Sequence, residues 1–82
     1  MNTKTNGRKD LHLLCARAKH LVHHHIKETG DNDFAEMHME FEKGFLFAAM
    51  VEMEWNQSAA ALSLKMNRGT LRTKLKKHQL ID

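Results

Sequence analysis

Apolar residues recur at three- and four-residue steps from Leu11 onward. Leu11, Leu14, Cys15, Ala18, Leu21, Val22 and Ile26 form one stripe, the spacing of an amphipathic helix. This predicts a first helix from about Leu11 to Glu28, with Asp10 as its cap and Thr29-Gly30 ending it. Asp31-Asn32-Asp33 makes a turn. Asp33, with Glu36 three residues later, starts a second helix in the manner of a capping box, and that helix is predicted over 34–54. Phe34, Met37, Phe41, Phe45, Ala48 and Ala49 make one stripe on it, while Met39, Leu46, Phe47, Met50, Val51 and Met53 populate other faces. A helix apolar nearly all round is buried on more than one side. One amphipathic partner and a short C-terminal unit cannot cover it, and a second copy of the chain is the simplest cover. An obligate homodimer is therefore expected. Its interface takes Leu14, Ala18, Leu21 and Val22 from the first helix and Phe34, Met37, Phe41, Phe45 and Ala48 from the second. Gly44 costs about 1 kcal/mol in mid-helix against alanine and marks either a bend or a close crossing.

The C-terminal stretch changes character. Gln57 to Leu64 predicts a short alanine-rich helix capped by Asn56. Lys65-Met66-Asn67 is a break, and Arg68 to about His78 is a second short helix with Asn67 as its cap. Leu71, Leu75 and His78 form its inward stripe, and Arg68, Thr70, Arg72, Thr73, Lys74 and Lys77 its outward face. Two short helices, a tight turn and a small residue at the crossing (Ala60 or Ala61) make a helix-turn-helix, with cations on the side free to enter a major groove. The fold class is thus all-α, four helices per chain.

Charge is segregated in the same way. Residues 1–30 carry six Lys/Arg and two acids, residues 31–55 seven acids and only Lys43, and residues 56–82 six Lys/Arg and one acid. The net charge of +3 conceals this division. A basic end seeks an anionic partner, whereas an acidic middle faces water or protein. At 82 residues, 28% charged and 41% hydrophobic, the chain is one small folded domain. No run of about 18 apolar residues spans a membrane, and one cysteine forms no internal disulfide, which fits a reducing cytoplasm.

Asn56-Gln57-Ser58-Ala59-Ala60-Ala61-Leu62, followed by Met66-Asn67-Arg68-Gly69-Thr70-Leu71-Arg72-Thr73-Lys74-Leu75-Lys76-Lys77, closely resembles the C-terminal DNA-binding unit of the Fis family of bacterial nucleoid-associated dimers. A similar unit closes the NtrC-type activators. The resemblance covers roughly residues 10–82 and is strong from 56 onward. It implies a flexible arm over 1–9, an intertwined two-helix dimer core over 10–55 and a DNA-binding unit over 56–82. It also implies a nucleoid location, double-stranded DNA as partner, DNA bending and transcriptional regulation. Asn56, Ser58, Asn67, Arg68, Thr70, Arg72, Thr73, Lys74, Lys76 and Lys77 are the implied DNA-binding residues. Arg68 is the candidate for a guanine edge, and Arg72, Lys74, Lys76 and Lys77 for phosphates. The chain departs from the family at four places. Lys65 stands where the turn normally has glycine, Gly44 where Fis has a kinking proline, and Thr73 where it has a basic residue. The polar Met1–Asp10 stretch stands in place of the hairpin arm through which Fis contacts a DNA invertase.

Other chemistry is sparse. His20 and His24 are at helical i, i+4 spacing, but no third ligand follows a zinc pattern, so no metal or cofactor is expected. The histidines suit a pH-sensitive surface or dimer contact better. Cys15 lies on the apolar stripe without an oxyanion site or pocket nearby, and no catalysis is expected. Trp55 and the phenylalanines, at helical spacing, are expected in the core. The alternative function is protein interaction. The acidic strip Glu36, Glu40, Glu42, Glu52 and Glu54 would dock RNA polymerase or another regulator, or imitate DNA.

Overall fold

The computed structural model describes residues 7–82, with side chains from Leu11 onward. Its elements are four helices: α1 (Gly7–Thr29), α2 (Phe34–Glu52), α3 (Gln57–Ser63) and α4 (Arg68–Lys77). The four-helix, all-α reading is correct. The expected arm over residues 1–9 lies, for residues 1–6, outside the described residues, and from Gly7 onward it is already helix. Asp10 therefore sits inside α1 rather than capping it. The apolar stripe begins only at Leu11, so periodicity gives no sign of the polar first turn that precedes it.

The chain divides into two units, residues 1–33 and 34–82. In the first, α1 presents its stripe to the surface: Leu11, Leu14 and Leu21 are all more than half exposed, and Ala18 and Val22 are half-buried. The helix ends on Gly30, whose φ of 76° lies in the left-handed region. Its amide donates to the Ile26 carbonyl at 2.7 Å. The Thr29 hydroxyl donates back to the His25 carbonyl and accepts from the Asp31 amide, which fixes the turn that follows.

In the second unit a small aliphatic core joins α2, α3 and α4. Leu46 and Met50 of α2, Ala60 and Ala61 of α3, and Leu71 and Leu75 of α4 are buried. Met53, Leu64, Met66, Leu80 and Ile81 pack against them. The two alanines remove the side-chain bulk that would hold α3 and α4 apart, so the leucines of α4 seal completely.

This core selects one face of α2 and leaves the others uncovered. Phe34, Phe41, Phe45, Phe47 and Trp55, expected inside, are 41–79% exposed. Met37 is half-buried and Ala48 exposed. The reason is geometric: Leu46, Met50 and Met53 share the face turned to α3 and α4, and the aromatic stripe lies on other sides of the same cylinder. Trp55 instead meets Phe47 edge-on, ring centroids 5.7 Å apart. Helix α2 continues through Gly44, and a Cβ built there meets nothing within 4 Å. No close crossing exists at that glycine in the described chain.

Three helix ends share one device. At α2, the Trp55 amide donates to the Met50 carbonyl and Glu54 to Val51; at α3, Met66 donates to Ala61 and Lys65 to Leu62; at α4, Leu80 donates to Leu75 and Gln79 to Lys76. These paired bonds satisfy the orphan carbonyls of each last turn and require a left-handed residue. Glu54, Lys65 and Gln79 occupy that position with φ of 53°, 55° and 60°. None is glycine.

Candidate nucleic-acid interface

The basic end is built from two capped helices. Asn56 is extended, and its side-chain oxygen accepts from the Ala59 amide at 2.9 Å. Asn67 repeats this on α4, accepting from the Gly69 amide at 2.7 Å. In each carboxamide the oxygen is committed to the cap, which leaves the NH2 group as a donor. A Cβ on Gly69 would lie 3.0 Å from the Asn67 cap oxygen, so glycine keeps the start of α4 tight.

The turn between the helices is Leu64-Lys65-Met66, with Lys65 left-handed. The sequence expectation that Lys65 occupies a glycine position is met in the backbone itself. Across the crossing, the Arg72 guanidinium reaches the Gln57 amide oxygen at 3.4 Å, placing the middle of α4 beside the start of α3.

Helix α4 buries Leu71, Leu75 and His78. At 3.6 residues per turn, Gly69, Thr73 and Lys76 stand opposite that stripe, with Arg72 and Lys77 flanking them. Asn56, Ser58, Asn67, Arg68, Thr70, Arg72, Thr73, Lys76 and Lys77 are exposed, and Lys74 is half-buried. The sequence-derived residues thus all belong to this one unit, and all but Lys74 are open to solvent.

The charge at the start of α4 works against the helix, whereas Lys74, Lys76 and Lys77 in its last turn favour it. Neither α3 nor α4 has an acidic residue in its first turn, and α4 begins with Arg68. A helix N-terminus carries a partial positive charge and favours anions, so a cation there is unfavourable by a few tenths to about 1 kcal/mol. An anion laid against the start of α4 reverses that penalty, because free amides and an arginine then converge on it.

Glu42 of α2 is the residue that sequence reasoning misassigned. Read as part of an outward acidic strip, it instead faces α4. Its carboxylate accepts from Lys74 Nζ at 3.0 Å, Lys77 Nζ at 3.1 Å and His78 Nε2 at 2.7 Å. The His78 side chain is 4% exposed and that of Glu42 20%. A carboxylate only accepts, so His78 presents Nε2–H to it. The hydrogen bond from His78, then those from the two lysines, lower the Glu42 pKa from 4.5 to about 2. The partners lie 32 and 36 residues away in the chain, and no local spacing signals them.

The segment from Met39 in α2 to His78 at the end of α4 matches the family described as bacterial regulatory protein, Fis family. Neither the curated proteins nor the solved structures gave a match. Over residues 39–78 the chain is thus similar to a family of DNA-binding helix-turn-helix regulators.

Proposed function

We propose that the protein acts as a homodimer that places α4 of each subunit in the major groove, bends the duplex, and so regulates transcription or shapes the nucleoid. The start of α4 carries this reading. Arg68 stands in the first turn of α4, which holds no acidic residue, directly after Asn67, whose NH2 group remains a donor. Arg68 takes a guanine edge in two hydrogen bonds. Thr70 and Thr73 line the groove-facing side, while Ser58, Arg72 and Lys76 hold phosphates and set register.

Dimerisation is supported by what α1 and α2 leave exposed. The core of residues 34–82 uses Leu46 and Met50 and leaves Phe34, Phe41 and Phe45 to water, an arrangement a soluble monomer rarely keeps. In the dimer these residues, with Met37, Ala48 and the Leu14, Ala18, Leu21 and Val22 stripe, cover one another. Two recognition helices set closer than one DNA turn require the duplex to bend, which favours sequences with a deformable A·T-rich centre.

The experiment is a gel-shift titration on random and A·T-centred duplexes at low and physiological salt. Binding that weakens steeply with salt and loses base preference in Arg68→Ala, by about 1–3 kcal/mol, is the expected result. Absence of any shift at low salt overturns it. The function would then belong to the acidic side of α2, where Glu36, Glu40, Glu52 and Glu54 are exposed.

A further inference from the structure

Helix α4 carries five cations, and two of them are already paired within the fold. Lys74 follows Leu71 at three residues and precedes His78 at four, so it lies on the flank of α4 turned toward α2. Its ammonium and that of Lys77 share one carboxylate with the buried His78. Lys76, between them in sequence, stands on the opposite side, exposed and with no ion pair among the described residues. Cations of one short basic run thus differ in whether the fold pairs them.

We propose that Glu42 holds Lys74 and Lys77 off the DNA phosphates, so that, of the cations on each subunit's recognition helix, only Arg72 and Lys76 grip the backbone. This deepens the DNA-binding reading above and rests on it. Departure of a lysine toward a phosphate would strip a partner from a carboxylate that is four-fifths shielded from water. An incompletely paired charge in that setting is unfavourable. The phosphate offers the ammonium no more than the carboxylate it leaves, since both are charge-assisted acceptors. Glu42 is therefore a positioning residue. Together with His78 it ties the end of α4 to α2, and it sets how many phosphates the protein neutralises.

The salt dependence of DNA affinity counts those phosphates, because each one neutralised contributes about 0.9 to the slope of log K against log salt. Filter-binding or anisotropy titrations on one duplex, from low to physiological salt, supply the slopes. Lys76→Ala should reduce the slope by about 0.9 per subunit, and Lys77→Ala by less than half of that. In a Glu42→Gln background, which removes the charge and keeps the shape, the wild-type slope should steepen. Lys77→Ala should there remove a full contact. A purely structural role for Glu42 would weaken binding without changing which lysines count.

A loss of about 0.9 per subunit for Lys77→Ala in the Glu42 protein overturns the proposal while leaving DNA binding intact. That arm decides the matter even where Glu42→Gln fails to fold. A protein that shifts no duplex at any salt overturns both this proposal and the DNA reading.

Discussion

Acid should loosen the attachment of α4 to α2 in a window set by Glu42. Its carboxyl titrates near 4.5 in the unfolded chain and near 2 in the fold, where His78, Lys74 and Lys77 hold the charged form. A depressed carboxyl pKa stabilises the native state fully above the unfolded value. That stabilisation is lost as pH falls through the folded one. The drop from 4.5 to about 2 corresponds to roughly 3 kcal/mol at neutral pH. Lys77 is nearly half exposed, and solvent screening of the lysines reduces this to about 1–2 kcal/mol. Urea unfolding of wild type and Glu42→Gln, at fixed protein concentration from pH 7 to 2, isolates the contribution from the other carboxylates. Wild type should be more stable by that amount at pH 7. The difference should begin to shrink near pH 4.5 and close near pH 2. A difference that stays constant across the range would refute the coupling between the Glu42 charge and the fold.

Three further outcomes follow from the same geometry. Asn67→Ala should lower the unfolding free energy by about 1 kcal/mol through loss of the α4 cap and weaken DNA binding, whereas Asn67→Asp should keep the cap and still lose the DNA, since it presents a carboxylate to phosphate. Wild-type DNA affinity in Asn67→Asp would show that Asn67 only caps. Lys65→Gly should stabilise the unit by up to about 1 kcal/mol, because glycine relieves the left-handed strain at φ 55° and gives back part of the gain as unfolded-chain entropy; a clearly lower denaturation midpoint would contradict this. Phe45→Glu should convert the proposed dimer to monomer in sedimentation equilibrium, and an unchanged molecular mass would remove that stripe from the interface.

What was legible in the sequence was local. Asn56 and Asn67 announce themselves as caps because an Asx residue before a helical run has one common use. The inward set Leu71, Leu75 and His78 follows from spacing alone, and Lys65 from its resemblance to a glycine position. The start of α1 was hidden because its first turn has no apolar residue to mark a period. The core face of α2 was hidden for the opposite reason: apolar on nearly every side, the helix gave no preference until α3 and α4 chose Leu46 and Met50. Glu42 was the hardest to place. Its role depends on where two helices distant in sequence cross, and an acidic residue among acidic residues carries no mark of facing inward.

The glycine-free helix ends bear on the proposed bending of DNA. Glycine at a junction roams over both signs of φ, and helices joined through it swivel. Glu54, Lys65 and Gln79 each sit in one narrow left-handed basin, latched by two amide bonds to the preceding turn. The backbone at the helix junctions of residues 34–82 therefore has less freedom than glycine would give it, and a block so joined is expected to be stiff. Between such a block and a duplex with flexible base steps, compliance belongs to the duplex. On the proposed reading, sequences that yield easily are then favoured even at base pairs no side chain reaches.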